Sequence, residues 1–144
     1  MQKTGFFWHV HHRKLIEWCF DYTERATYIK NSKPENERTL HLRLFKPVIG
    51  SLPEEVTKAG QVYIQAKRAY DQAWQAYYDR TRQAYDPARQ AYYQAKRAYN
   101  QAWQVYIQAE QVYERALKDN TQVINALHLI ECLNCPWNGH TIFS

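Results

Sequence analysis

A tyrosine returns every seventh position along the middle of the chain. Tyr63, Tyr70 and Tyr77 set the interval, and after one extra residue Tyr85, Tyr92, Tyr99, Tyr106 and Tyr113 resume it. A small or β-branched residue precedes each one: Val62, Ala69, Ala76, Ala84, Ala91, Ala98, Val105 and Val112. Alanine follows three positions later at Ala66, Ala73, Ala88, Ala95, Ala102, Ala109 and Ala116. Apolar positions spaced alternately four and three apart predict helix that packs along a seam. Residues 61–77 recur at 90–106, identical at 13 of 17 positions with an offset of 29. That offset is four heptads plus one, or about 3.6 residues per turn over eight turns, so the inserted residue cancels the drift of a strict heptad.

The pattern assigns the Ala66 row and the Val62/Ala69/Ala76 row to the interior. The tyrosines then flank the seam with hydroxyls in water, and Gln65, Gln72, Gln94, Gln101 and Gln108 line its other side. Small residues let helices approach toward the low end of the usual spacing. Opposite-charge pairs at i,i+4 are too few to support a lone solvated helix, so the seam needs a partner surface.

Outside the repeat the patterns are shorter. Leu15, Trp18, Cys19, Tyr22, Ala26 and Ile29 share one face of a predicted helix from His11 to about Lys30, ended by Asn31-Ser32-Lys33-Pro34. From Pro34 to Val48, Leu40, Leu42 and Leu44 alternate like a strand, while Leu40, Leu44, Phe45 and Val48 fit a helix with Glu35 and Glu37 in its first turn. The helix is preferred. Ser51-Leu52-Pro53-Glu54 has the spacing of a capping box that opens the long repeat. A brief break is expected at Lys118-Asp119-Asn120, followed by an apolar stripe of Val123, Ile124, Leu127 and Ile130 and an irregular tail. The segments divide as 1–50, 51–118 and 119–144.

Pro87 decides the architecture. Inside a helix a proline costs about 3 kcal/mol. At a helix start, Asp86 as cap and Pro87 as first residue are favourable. Arg80 also interrupts the alanine row. These features predict an all-α fold: an elongated helical hairpin with an Ala/Tyr seam and a turn near residues 79–87, flanked by short N- and C-terminal helices. One long helix kinked at Pro87 is the alternative.

Composition then narrows the function. The 144 residues carry a net charge of +5, and the mean hydropathy is −0.74. No run approaches the ~20 apolar residues of a membrane span. The start lacks the apolar core and cleavage site of a secretory signal, and three cysteines in that setting imply thiols or metal ligands in a reducing, cytoplasmic compartment. The four glycines are isolated, so there is no phosphate-cradling loop.

Charge is concentrated in the repeat. Residues 58–118 hold ten Lys or Arg against five Asp or Glu. Lys67, Arg68, Arg80, Arg82, Arg89, Lys96 and Arg97 beside aromatic rings form a candidate surface for a nucleic-acid backbone.

The chemistry-bearing motif is His128-x3-Cys132-x2-Cys135, with His140 five residues further on. Two thiolates at that spacing, with a histidine one helical turn earlier, resemble half of a zinc site. His9, His11 and His12 can complete it if a hairpin brings the chain ends together. The leading expectation is a non-enzymatic helical structural or protein-interaction module, partnered or self-associated through the seam, with a structural zinc site near the termini. A nucleic-acid-binding helical protein and a metal-dependent hydrolase are the alternatives.

Overall fold

The computed structural model describes residues 2–81 and 89–143, with Arg89 described at its backbone alone. The chain forms two compact units, Met1–Ser51 with Gln122–Ser144, and Leu52–Thr121. Among the described residues there are five helices and three short strands, so the expectation of an all-α fold holds only approximately.

In the first unit, strand β1 (Gly5–Trp8) pairs antiparallel with β2 (Ile16–Cys19) and with β3 (Lys46–Pro47), in the order β2-β1-β3. This corrects the predicted helix from His11. Gly-Phe-Phe-Trp is rich in residues that suit a pleated surface. Pairing lets Phe7 bury against Phe45 while Phe6 meets Trp18 edge-on. Trp18 and Cys19, assigned to a helix face, are strand residues instead. Helix α1 (Tyr22–Ser32) begins where Asp21 accepts the amide of Glu24 at 3.0 Å, a normal N-cap. It buries Ala26 and Ile29 in a core shared with Phe7, Val10, Cys19 and Phe45.

Helix α2 (Glu35–Leu44) follows Pro34, with Glu35 and Glu37 in its first turn as the macrodipole favours. Leu44 joins Cys132 and Ile142 in a second core, with Trp137 and Phe143 packed against it. Helix α5 (Thr121–Glu131) departs from its predicted stripe. Ile124 and His128 are buried, whereas Val123 and Ile130 are exposed.

The second unit is a hairpin of helices α3 (Glu54–Thr81) and α4 (Arg89–Asp119). Residues 79–81 are still helical, and the rest of the predicted turn, with the roles of Asp86 and Pro87, lies outside the described residues, as do Arg82, Ala84, Tyr85 and Ala88. Tyr63, Tyr70 and Tyr77 meet Tyr106, Tyr99 and Tyr92, with hydroxyl oxygens 3.4, 3.3 and 3.3 Å apart. The numbers rise by seven on one helix and fall by seven on the other, which is an antiparallel register. Diagonal stacking of Tyr63 on Tyr113, Tyr70 on Tyr106 and Tyr77 on Tyr99 joins the rungs into a ladder.

The seam therefore differs from the one expected. Ala66, Ala109 and Ala116 are buried, but the second predicted core row is not: Val62, Ala69, Ala76 and Ala98 are exposed, as are the five glutamines. The tyrosines occupy that place. Two faces compete for the interior, and ring area outweighs methyl area by a wide margin, since an aromatic side chain buries about 150–250 Å². The six hydroxyls of the three rungs then pair across the seam.

Candidate metal centre

Four side chains from three segments of the first unit converge. The ligand atoms of His9, His128, Cys132 and Cys135 all lie within 4.8 Å of one another, and among the described residues this is the one such group. Local geometry explains each position. His128 and Cys132 are separated by one helical turn at the end of α5, where the Cys132 amide donates to the His128 carbonyl at 2.7 Å. Asn134 then adopts φ 55°. Asparagine tolerates this left-handed conformation better than most residues, and the reversal curls Cys135 back toward Cys132.

His9 directly follows β1 with φ 50°, and its amide donates to the Leu15 carbonyl across the hairpin turn. A non-glycine residue in that region is uncommon and marks local strain. The turn sends the imidazole inward, where it is fully buried between the rings of His128 and Trp137.

The hydrogen bonds select a tautomer. His9 Nδ1–H donates to the carbonyl of Lys14 at 3.1 Å, which leaves Nε2 as a lone pair facing the cluster. A backbone carbonyl on the far nitrogen is the usual way a metal-ligating imidazole is oriented. His128 Nε2 lies 3.0 Å and Cys135 Sγ 3.3 Å from that same His9 Nε2. Two protic groups thus converge on one acceptor, an arrangement that a single central cation relieves. Edges of about 3.4 Å (N to N) and 3.6 Å (N to S) follow for a tetrahedron with ordinary zinc bond lengths. The observed separations are a few tenths shorter.

Burial keeps both imidazoles and the Cys132 thiol uncharged without a cation. It drives the His9 pKa down to about 4, with His128 adding to the effect, and lowers His128 too. Burial and the neighbouring Cys135 push the Cys132 thiol up to about 12. Neutral imidazoles are ready to coordinate, and a cation would displace the thiol protons.

The other candidate ligands lie elsewhere. His140 is exposed, its amide donating to Asn138 Oδ1. His11 pairs with Glu17 at 2.8 Å, and His12 Nδ1 lies 3.3 Å from Lys33 Nζ. Spacing offered three N-terminal histidines without ranking them; strand pairing brings only His9 to the cluster. Two supporting residues escaped the sequence reading. His41 is fully buried and donates from Nε2 to the His9 carbonyl at 2.9 Å, bracing that strained residue. Glu131 accepts from Trp8 Nε1 at 2.8 Å, from Ile49 N at 3.0 Å and from Gly50 N. Burial alone would raise its carboxyl pKa, but these bonds outweigh it and hold the group below the usual range. Neither residue belongs to a motif that spacing reveals.

Of the basic positions in the repeat, Lys67 pairs with Asp71 at 3.0 Å. Arg68, Arg80, Lys96 and Arg97 are exposed, while Arg82 and the Arg89 side chain lie outside the described residues. No helix is long and apolar enough to cross a membrane among the described residues. In comparisons with protein-family models, curated proteins and solved structures, nothing matches this chain.

Proposed function

We propose that the chain is a non-enzymatic helical module whose terminal unit is held together by a structural zinc ion on His9, His128, Cys132 and Cys135. The observation that carries this is the convergence of four ligand atoms within 4.8 Å, drawn from the end of β1, the end of α5 and the tail. Two imidazoles and two thiolates suit a borderline-soft, tetrahedral ion. With all four positions supplied by the protein, the ion's work is cohesion. It substitutes for apolar mass in a unit whose second core is only three buried side chains. The helical hairpin, inserted in the chain between the two halves of this unit, then serves as an arm for a protein partner, with Trp74 and Trp103 each 44% exposed along it.

Elemental analysis of protein purified without chelator or affinity-tag metal tests the centre. About one equivalent of zinc is expected, falling to near zero in Cys132→Ser and in His9→Ala. Cobalt substitution should give the intense visible bands of a tetrahedral thiolate site. Metal-free protein whose melting is indifferent to added zinc would falsify the reading.

A further inference from the structure

The four ligands are not equally sheltered. Cys132 is 3% exposed and Cys19, the third cysteine, is 2% exposed in the other core of the unit. Cys135 is only half-buried and lines a surface cavity of about 460 Å³ together with His128, Cys132, Leu133, Asn134 and Trp137. A small solute in this cavity therefore meets both cysteines, and Cys135 is the more exposed of the two. The two cysteines are three residues apart around the Asn134 reversal, and their sulfurs lie within 4.8 Å of each other.

Resting on the zinc reading above, we propose that this centre is a peroxide-responsive site, in which oxidation of Cys132 and Cys135 to a disulfide releases the metal. Cys135 sulfur, as a metal-bound thiolate, attacks one oxygen of hydrogen peroxide. An S–O bond forms, the O–O bond breaks, and the departing hydroxide takes a proton to become water. The Cys132 thiolate then attacks the Cys135 sulfur, the S–S bond forms, and the second hydroxide leaves and is protonated to water. Two thiolates lose two electrons in all and one peroxide gains them. Only His9 and His128 would then remain to hold the ion, too few ligands to retain it. Burial of Cys19 in a separate core keeps it out of the exchange, so the product is a single defined disulfide.

The test uses the zinc-loaded full chain with one to a few equivalents of hydrogen peroxide, following free zinc with a chromogenic chelator and the thiols by intact mass and peptide mapping. The expected result is about one zinc released per peroxide consumed, loss of two hydrogens, a Cys132–Cys135 crosslink, and recovery of zinc binding on adding dithiothreitol with zinc. Cys19→Ser should behave like the parent chain. Zinc retained through complete peroxide consumption, or release accompanied by stable sulfinic acid on Cys135 with no crosslink, overturns the proposal while leaving the structural ion intact. A chain that never takes up zinc ends both readings.

Discussion

Single side chains carry sharply different burdens in the two units. Glu131 gathers three N–H donors from Trp8, Ile49 and Gly50, and it sits next to the ligand Cys132. Glu131→Ala leaves those donors unpaired, and a loss of about 1–3 kcal/mol is expected by urea denaturation, with a smaller loss for Glu131→Gln. In the hairpin, Tyr63, Tyr70 and Tyr92 hold their protons above the usual tyrosine range. Hydrogen bonding to Tyr99 raises the Tyr70 pKa to about 12, bonding to Tyr77 raises Tyr92, and burial raises Tyr63. The raised folded values mean that the unfolded chain releases these protons first, near pH 10. Their contribution is therefore complete below pH 10 and is lost as pH rises from 10 through about 12. Ultraviolet titration should show tyrosinate forming in two groups, the later one joining the earlier after addition of denaturant.

At the level of elements, the assignment of faces within the hairpin is open to a direct comparison. Ala66 is buried, while Ala69, one turn away on the same helix, is exposed. Ala66→Leu overfills the space between α3 and α4 and should cost about 1–3 kcal/mol. Ala69→Leu adds the same atoms to the solvent side and should stay within about 0.5 kcal/mol of the parent. Equal effects on thermal unfolding would mean that the tyrosine ladder does not define the seam. The strands show a different logic. Isolated, the β1–β2 hairpin is too small to be stable, and the Phe7–Phe45 packing together with the β1–β3 pairing supplies the missing partner surface.

For the whole molecule, the two units predict two responses to metal removal. On the proposed zinc centre, the ion would bind the folded first unit and not its unfolded chain, so chelation would withdraw stability from that unit. Hydrogen exchange should accelerate in residues 5–10 and 122–143 when a strong chelator is added. Amides of α3 and α4 should keep their protection, because the hairpin rests on its own ring ladder and alanine packing. Uniform acceleration across both units would show that they unfold as one.

How much of this was legible in the residues follows from the range of each interaction. The long helices, the break at Asn120 and the H-x3-C-x2-C half of the candidate site are local patterns, set by helical periodicity and by spacing within a few residues. The sequence alone was enough for those. It placed two small-residue rows in the seam together, and the facing helix put the tyrosines where the second row was expected, because ring burial is realised only across the pair. It assigned no element to Phe6-Phe7-Trp8 and put Trp18 and Cys19 on a helix, since the strand partners Lys46 and Pro47 lie about forty residues away. Choosing His9 over His11, His12 and His140 needed closure across 119 residues to His128. Tertiary structure made that choice: the strained turn after β1 aims one imidazole inward, and no spacing rule records the direction in which a turn points.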